Sequence, residues 1–118
     1  MKKILVIEDD DDIIFIVEQI LKEDGYSVVT VSEEITGSEI AEISPNLIII
    51  DYLLPFRFGD EICMEIKNHE PTKHIPVIIY SASLNLVKIV SRCKADGYIT
   101  KPFDLEDFLN EVKKHLLE

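Results

Sequence analysis

Several polar groups in this chain of 118 residues stand directly after short apolar runs. Glu8 and Asp9 follow Lys3-Ile4-Leu5-Val6-Ile7, and Asp51 follows Leu47-Ile48-Ile49-Ile50. Ser81 follows Val77-Ile78-Ile79-Tyr80, and Lys101 follows Gly97-Tyr98-Ile99-Thr100. If the runs are parallel strands of one sheet, three carboxylates, a hydroxyl and an amine converge at one edge. Hard carboxylate oxygens suit Mg²⁺, which takes one or two carboxylates, several waters and a phosphate oxygen. Asp9 and Asp51 are candidates to bind it directly, with Glu8 holding an outer water. Asp51 is also a candidate nucleophile, because carboxylates form acyl-phosphate intermediates. The cation would neutralise incoming phosphoryl oxygens, Lys101 would pair with another, and Ser81 would donate to a third. Alone, Asp51 also reads as a strand-end turn residue and Lys101 as a surface charge. Their joint placement carries the argument.

Residues 8–12 are five consecutive acids. A solvated helix start, capped by Asp11 or Asp12 and favoured by the helix dipole, accounts for two or three of them. It does not account for carboxylates immediately after a buried strand, where like charges raise each other's pKa. A bound cation relieves that repulsion, and the metal reading is the stronger one. The net charge of −11 argues against direct nucleic-acid binding, which needs clustered Lys and Arg. The apolar runs fall far below the ~20 residues needed to span a membrane. No N-terminal basic, apolar and small-residue pattern appears, so a cytoplasmic location is expected. Cys63 and Cys93 have no metal-binding spacing and read as reduced, mostly buried thiols.

The strand-like runs are continuous rather than alternating, as in a parallel sheet covered on both faces. Helical segments fall between them. In the first, Ile13, Ile16, Val17, Ile20 and Leu21 are expected to share the core face, with Gly25 as the stop. In the last, Leu105, Phe108, Leu109, Val112 and Leu116 share one face. Residues 33–43 should hold a helix that Thr36 and Gly37 weaken. Residues 59–69 should carry Ile62, Cys63 and Ile66 inward and end before Pro71. A short helix near 84–93 should bury Leu86, Val90 and Cys93. Five strand–helix units in one domain make a three-layer α/β sandwich. Right-handed crossovers with helices on both faces of the sheet make the strand order reverse somewhere, and ligands sit beyond the strands' carboxyl ends at that reversal; 2-1-3-4-5 is one order consistent with this rule. The order 2-1-3-4-5 makes strands 1 and 3 neighbours, ~4.8 Å apart, with Glu8 and Asp9 facing Asp51.

Five pieces of the chain then combine: Ile4-Leu5-Val6-Ile7-Glu8-Asp9-Asp10; Pro45-Asn46-Leu47-Ile48-Ile49-Ile50-Asp51; Pro55 and Gly59; Ile75-Pro76-Val77-Ile78-Ile79-Tyr80-Ser81-Ala82; and Ala95-Asp96-Gly97-Tyr98-Ile99-Thr100-Lys101-Pro102-Phe103. Together they resemble the receiver domains of two-component response regulators, along essentially the whole chain. The resemblance implies a flavodoxin-like, CheY-like fold and one receiver domain over residues 1–118. It implies that Asp51 accepts phosphate from a histidine kinase or histidine phosphotransfer protein. Mg²⁺, or Mn²⁺ in its place, would sit on Asp9, Asp51 and the backbone carbonyl of Leu53, with Glu8 assisting. Ser81 and Lys101 match the family's phosphate-sensing hydroxyl and amine. Tyr98 matches the aromatic that turns inward when the hydroxyl moves, with simple packing at a sheet edge as the alternative. A cis Lys101–Pro102 bond is also implied. Such a domain promotes only its own phosphotransfer and autodephosphorylation, and is not otherwise an enzyme. It signals to a downstream protein target or effector domain, as a monomer or weak homodimer, without touching nucleic acid or membrane.

Departures from the family pattern are specific. Phe58 stands before Gly59, where Asp or Asn is common, and with Phe56 and Arg57 it makes a bulky loop. That loop could shield the acyl phosphate or contact a partner. Leu53 and Ser83 occupy variable positions that tune dephosphorylation, and Leu53 carries no group to position water, so slow hydrolysis is expected. The stretch from Ser81 to Tyr98 is shorter than usual. On the first helix Phe15 should point away from the core with Ile14 at the boundary. An exposed Phe beside an acidic pocket suggests an anchor for the phosphodonor, with a homodimer or crystal contact as the alternative. A Mg²⁺-dependent phosphatase with an aspartyl nucleophile is the enzymatic rival, but Leu53 stands where its second Asp would be. A receiver-like binding module that works without phosphate is the other rival.

Overall fold

The computed structural model describes residues 1–82 and 85–116. Ser83, residue 84 of the last-but-one expected helix, and the terminal Leu117-Glu118 lie outside the described residues. Five strands alternate with five helices: β1 Lys3–Ile7, α1 Asp11–Glu23, β2 Ser27–Val31, α2 Gly37–Ile43, β3 Leu47–Asp51, α3 Gly59–Asn68, β4 Val77–Ser81, α4 Leu86–Cys93, β5 Gly97–Thr100 and α5 Leu105–Leu116. All neighbouring strands are parallel, in the order β2-β1-β3-β4-β5. Reversal therefore falls between β1 and β3, as expected.

Alternation along the strands feeds two cores. Leu5, Ile7, Ile48, Ile50 and Ile79 face α2, α3 and α4, where they meet Ile40, Ile62, Ile66, Leu86 and Ile89. Ile4, Val6, Ile49, Ile78 and Tyr80 face α1 and α5, where they meet Val17, Leu21, Phe108 and Val112. Phe108 is fully buried and stacks on Phe103 at 4.9 Å. Removing a ring of this kind typically costs about 3–5 kcal/mol. Cys63 and Cys93 are buried free thiols, and the Cys63 thiol donates to the Cys93 carbonyl at 3.4 Å.

Helix details differ from the sequence expectation in informative ways. Asp10, not Asp11 or Asp12, caps α1: its side chain accepts from the N–H groups of Asp12 and Ile13. This leaves Asp11 and Asp12 in the first turn, where the helix dipole favours them. Ile16 is 51% exposed rather than on the core face. At 100° per residue, a buried line centred on Val17 and Leu21 places Ile16 about a third of a turn away, beyond the sheet's cover. Gly25 does end the helix, with a φ of 93°. The helix expected over 33–43 begins only at Gly37, with Thr36 as its cap: the Thr36 hydroxyl accepts from Glu39 N–H at 3.1 Å, and Glu39 accepts from Thr36 N–H at 3.0 Å. This is a reciprocal capping box, in which two otherwise orphaned donors are satisfied. In α4 Ile89 takes the fully buried place expected for Val90, which is half-buried. Leu105 opens α5 in solvent while Phe108 and Val112 carry its buried face.

Candidate functional site

At the carboxyl end of β1 the chain stays in register for one more residue, and Glu8 N–H donates to Val31 O at 3.0 Å. That turns the Glu8 side chain into the protein, where it is fully buried. A buried carboxylate needs donors, or its lost hydration is not repaid. Glu8 Oε2 accepts from the N–H groups of Asp9 at 2.9 Å and Asp10 at 3.2 Å. Glu8 Oε1 accepts from the Tyr80 hydroxyl. Asp51 ends β3, almost buried, and its Oδ1 accepts from Leu53 N–H at 3.3 Å. One carboxylate oxygen from each of Glu8, Asp9 and Asp51 lies within 4.8 Å of the others.

Lys101 reaches this group from the end of β5. Its Nζ stands 3.4 Å from Asp51 Oδ1, 3.6 Å from Glu8 Oε1 and 4.5 Å above the Tyr80 ring. The Lys101–Pro102 bond is cis, as the sequence pattern implied. Three carboxyl groups share this corner with one ammonium group. Asp9 records the strain: lost hydration, contact with Glu8 and the like charges of Glu8 and Asp10 outweigh its backbone hydrogen bond and raise its carboxyl above the usual range. The donor set is all hard oxygen, without His or Cys, and suits a divalent cation such as Mg²⁺.

Ser81 is buried at the end of β4, in register with Thr100, and its carbonyl accepts from Lys101 N–H at 2.9 Å. Tyr98 sits on the edge strand β5 and is 42% exposed. Glu8, Asp9, Asp51, Ser81 and Lys101 therefore cluster at one end of the sheet, with Tyr98 on its rim.

The loop after Asp51 is closed on itself. Gly59 N–H donates to Tyr52 O at 2.7 Å, Leu53 bridges to Phe58, and the Tyr52 and Phe58 rings stack at 5.3 Å. Arg57 ties the loop outward through Glu34 at 2.8 Å and Glu65 at 2.7 Å. Leu53 presents its side chain to solvent beside the site. On α1, Phe15 is 63% exposed, Ile14 is half-buried, and the exposed neighbour of Phe15 is Ile16.

Tyr80 escaped the sequence reading, which took it as the last apolar residue of a strand. Its one visible signal was a phenol in an otherwise aliphatic buried run. Such a hydroxyl normally finds a partner when buried.

Residues 4–113 match the profile of the response regulator receiver domain. The DNA-binding dual master transcriptional regulator RpaA of Synechocystis is 35% identical over 96% of this chain, which spans 48% of RpaA. Protein PilG of Pseudomonas aeruginosa is 34% identical over 97% of this chain, which spans 87% of PilG. Among solved structures, the response regulator TrrA of Thermotoga maritima in complex with Mg²⁺-BeF is 29% identical with a TM-score of 0.81. That match covers 98% of this chain and 99% of TrrA.

Proposed function

The chain belongs to the response regulator receiver domain family, modules of two-component signalling rather than conventional enzymes, and from that membership we propose that Asp51 is its phosphoacceptor. The donor is a histidine kinase or a histidine phosphotransfer protein. An Asp51 carboxylate oxygen forms the O–P bond as the N–P bond of the phosphohistidine breaks and the imidazole nitrogen leaves. The observation that carries this reading is the grouping of Glu8, Asp9 and Asp51 within 4.8 Å, with Lys101 at 3.4 Å from Asp51.

Asp9, Asp51 and the Leu53 carbonyl would hold Mg²⁺, or Mn²⁺ in its place, with Glu8 acting through a bound water. When bound, the cation supplies charge to the phosphoryl oxygens. Lys101 pairs with another of those oxygens, and the Ser81 hydroxyl donates to a third. Movement of Ser81 toward the phosphate frees space for Tyr98 to turn inward, which alters the surface a partner reads. The only chemistry promoted is the domain's own phosphotransfer and autodephosphorylation.

Residues 1–118 form one receiver unit in this proposal, cytoplasmic and monomeric or weakly dimeric. No described helix is long and apolar enough to cross a membrane. A net charge of −11 favours output through a protein target or effector domain, without direct nucleic-acid contact by these residues. Phe15, flanked by Ile14, anchors the phosphodonor beside the acidic site. Incubation with acetyl phosphate and Mg²⁺ tests the central claim. Wild type should gain one phosphoryl group that chelation of the metal prevents and that Asp51→Asn lacks. Absence of metal-dependent incorporation in wild type would favour a binding module that works without phosphate.

A further inference from the structure

Glu8 and Asp51 compete for one ammonium group. Lys101 Nζ lies between them, at 3.6 Å from Glu8 Oε1 and 3.4 Å from Asp51 Oδ1. A buried carboxylate short of a donor draws the nearest cation toward itself, because leaving it unsatisfied is costly. Glu8 is fully buried, and its Oε2 is already supplied by two backbone N–H groups. Oε1 accepts from the Tyr80 hydroxyl, and Lys101 Nζ stands beside it at 3.6 Å as an ion pair. Tyr80 also places its ring face 4.5 Å beneath Lys101 Nζ, where the ring's negative face favours a cation. Tyr80 comes from β4 and pairs in register with Asp51 on β3, so one residue touches Glu8 and supports Lys101.

We propose that Tyr80 is a positioning residue of the phosphorylation site: by satisfying Glu8 with its hydroxyl and cradling Lys101 on its ring, it keeps Glu8 from capturing the ammonium and leaves it within reach of Asp51 for the phosphoryl group. The inference rests on Asp51 being the phosphoacceptor. Its structural half, which carboxylate holds Lys101, can be read without phosphate or metal.

Tyr80→Phe keeps the ring and deletes only the hydroxyl. In a metal-free crystal structure of this variant, Lys101 Nζ should move into direct contact with Glu8 Oε1 and away from Asp51 Oδ1. Labelling by acetyl phosphate at saturating Mg²⁺ should slow about tenfold, less than the loss of a whole transition-state donor. In a Lys101→Ala background the same substitution should change the rate little, because Tyr80 acts through Lys101. A general packing role would instead slow labelling equally in both backgrounds, and that result overturns the proposal. So does an unmoved Lys101 in the variant structure, or a wild-type labelling rate. If wild type itself shows no metal-dependent labelling, the phosphoacceptor reading fails. The position of Lys101 in the variant then still decides whether Tyr80 governs the ammonium.

Discussion

Gly59 packs so closely against Asp51 that a Cβ added to it would meet the Asp51 carbonyl oxygen at 2.4 Å. The obstacle is backbone, so neither side can swing aside as a flexible side chain would. Gly59 N–H also donates to Tyr52 O at 2.7 Å, which fixes the loop immediately after the proposed phosphoacceptor. Gly59→Ala should therefore destabilise the fold by about 1–3 kcal/mol, the usual cost of overpacking. Thermal melts should fall by several degrees, and Mg²⁺ should raise the melting temperature less than in wild type, since the loop carries the Leu53 carbonyl. An unchanged melt would show that the loop can give way.

Lys101 compensates part of the charge on Glu8 and Asp51 from a largely buried position. Truncating it leaves two poorly hydrated carboxylates facing each other. Lys101→Ala should lose about 1–3 kcal/mol of stability in chelator, in the range for removing the cation from a partly buried ion-pair cluster. The same change should enlarge the stabilisation by Mg²⁺, because a divalent cation then meets a more negative site. A smaller Mg²⁺ response than wild type in parallel melts would contradict a cation bound among these carboxylates.

Strand positions were legible because continuous Ile, Leu and Val runs have few alternatives in a small α/β domain, and the polar residues ending those runs marked the site. Faces of helices were less legible. Ile13-Ile14-Phe15-Ile16-Val17 is apolar all round, so its sequence does not say which flank the sheet leaves uncovered, and Ile16 proved to be in solvent. Thr36 was weighed by helix propensity, whereas its role is set by the partner three residues on, Glu39. The Tyr80–Glu8 contact joins residues 72 positions apart, and only the strand register brings them together.

Asp9 gives the site a pH signature. Its carboxyl is held above the ordinary 3.8, first by lost hydration and then by Glu8. A raised carboxyl pKa in the fold contributes stability fully below 3.8, and that contribution is lost as pH rises through the raised value. Ionised Asp9 is thus a liability at neutral pH without a cation. Asp9→Asn should melt about 1–2 °C above wild type at pH 7 in chelator, a modest gain because the side chain is exposed. The advantage should shrink as pH falls toward 3.8, and saturating Mg²⁺ should reverse the ranking at pH 7. A lower melt for Asp9→Asn in chelator at pH 7 would refute the repulsion argument.

Phe15 stands 63% exposed on α1, with Ile16 exposed next to it. Both lie on α1, the helix that follows Asp9 and Asp10 in the chain, and under the docking proposal they would meet an apolar strip on a phosphodonor helix. Phe15→Ala should slow transfer from a phosphorylated histidine phosphotransfer protein by tenfold or more, about 1.4 kcal/mol or above for a buried aromatic anchor. Labelling by acetyl phosphate should be untouched, since a small donor needs no docking surface. Equal loss with both donors would assign Phe15 to the fold instead.

Phosphate lifetime should be set at Leu53. Its side chain is 59% exposed beside Asp51, and the loop behind it is pinned by the Leu53–Phe58 bridge and the Tyr52–Phe58 stack. Hydrolysis needs a water held in line with the O–P bond, and a hydrocarbon side chain offers it neither donor nor acceptor. Arg57 ties the same loop to Glu34 and Glu65. Phospho-Asp51 should persist for minutes or longer in native buffer with Mg²⁺. Leu53→Asn, which adds an amide able to orient water, should shorten that lifetime several-fold without altering the rate of labelling. Decay of labelled protein after removal of the phosphodonor measures both. A wild-type lifetime of seconds would mean that a group other than residue 53 positions the attacking water.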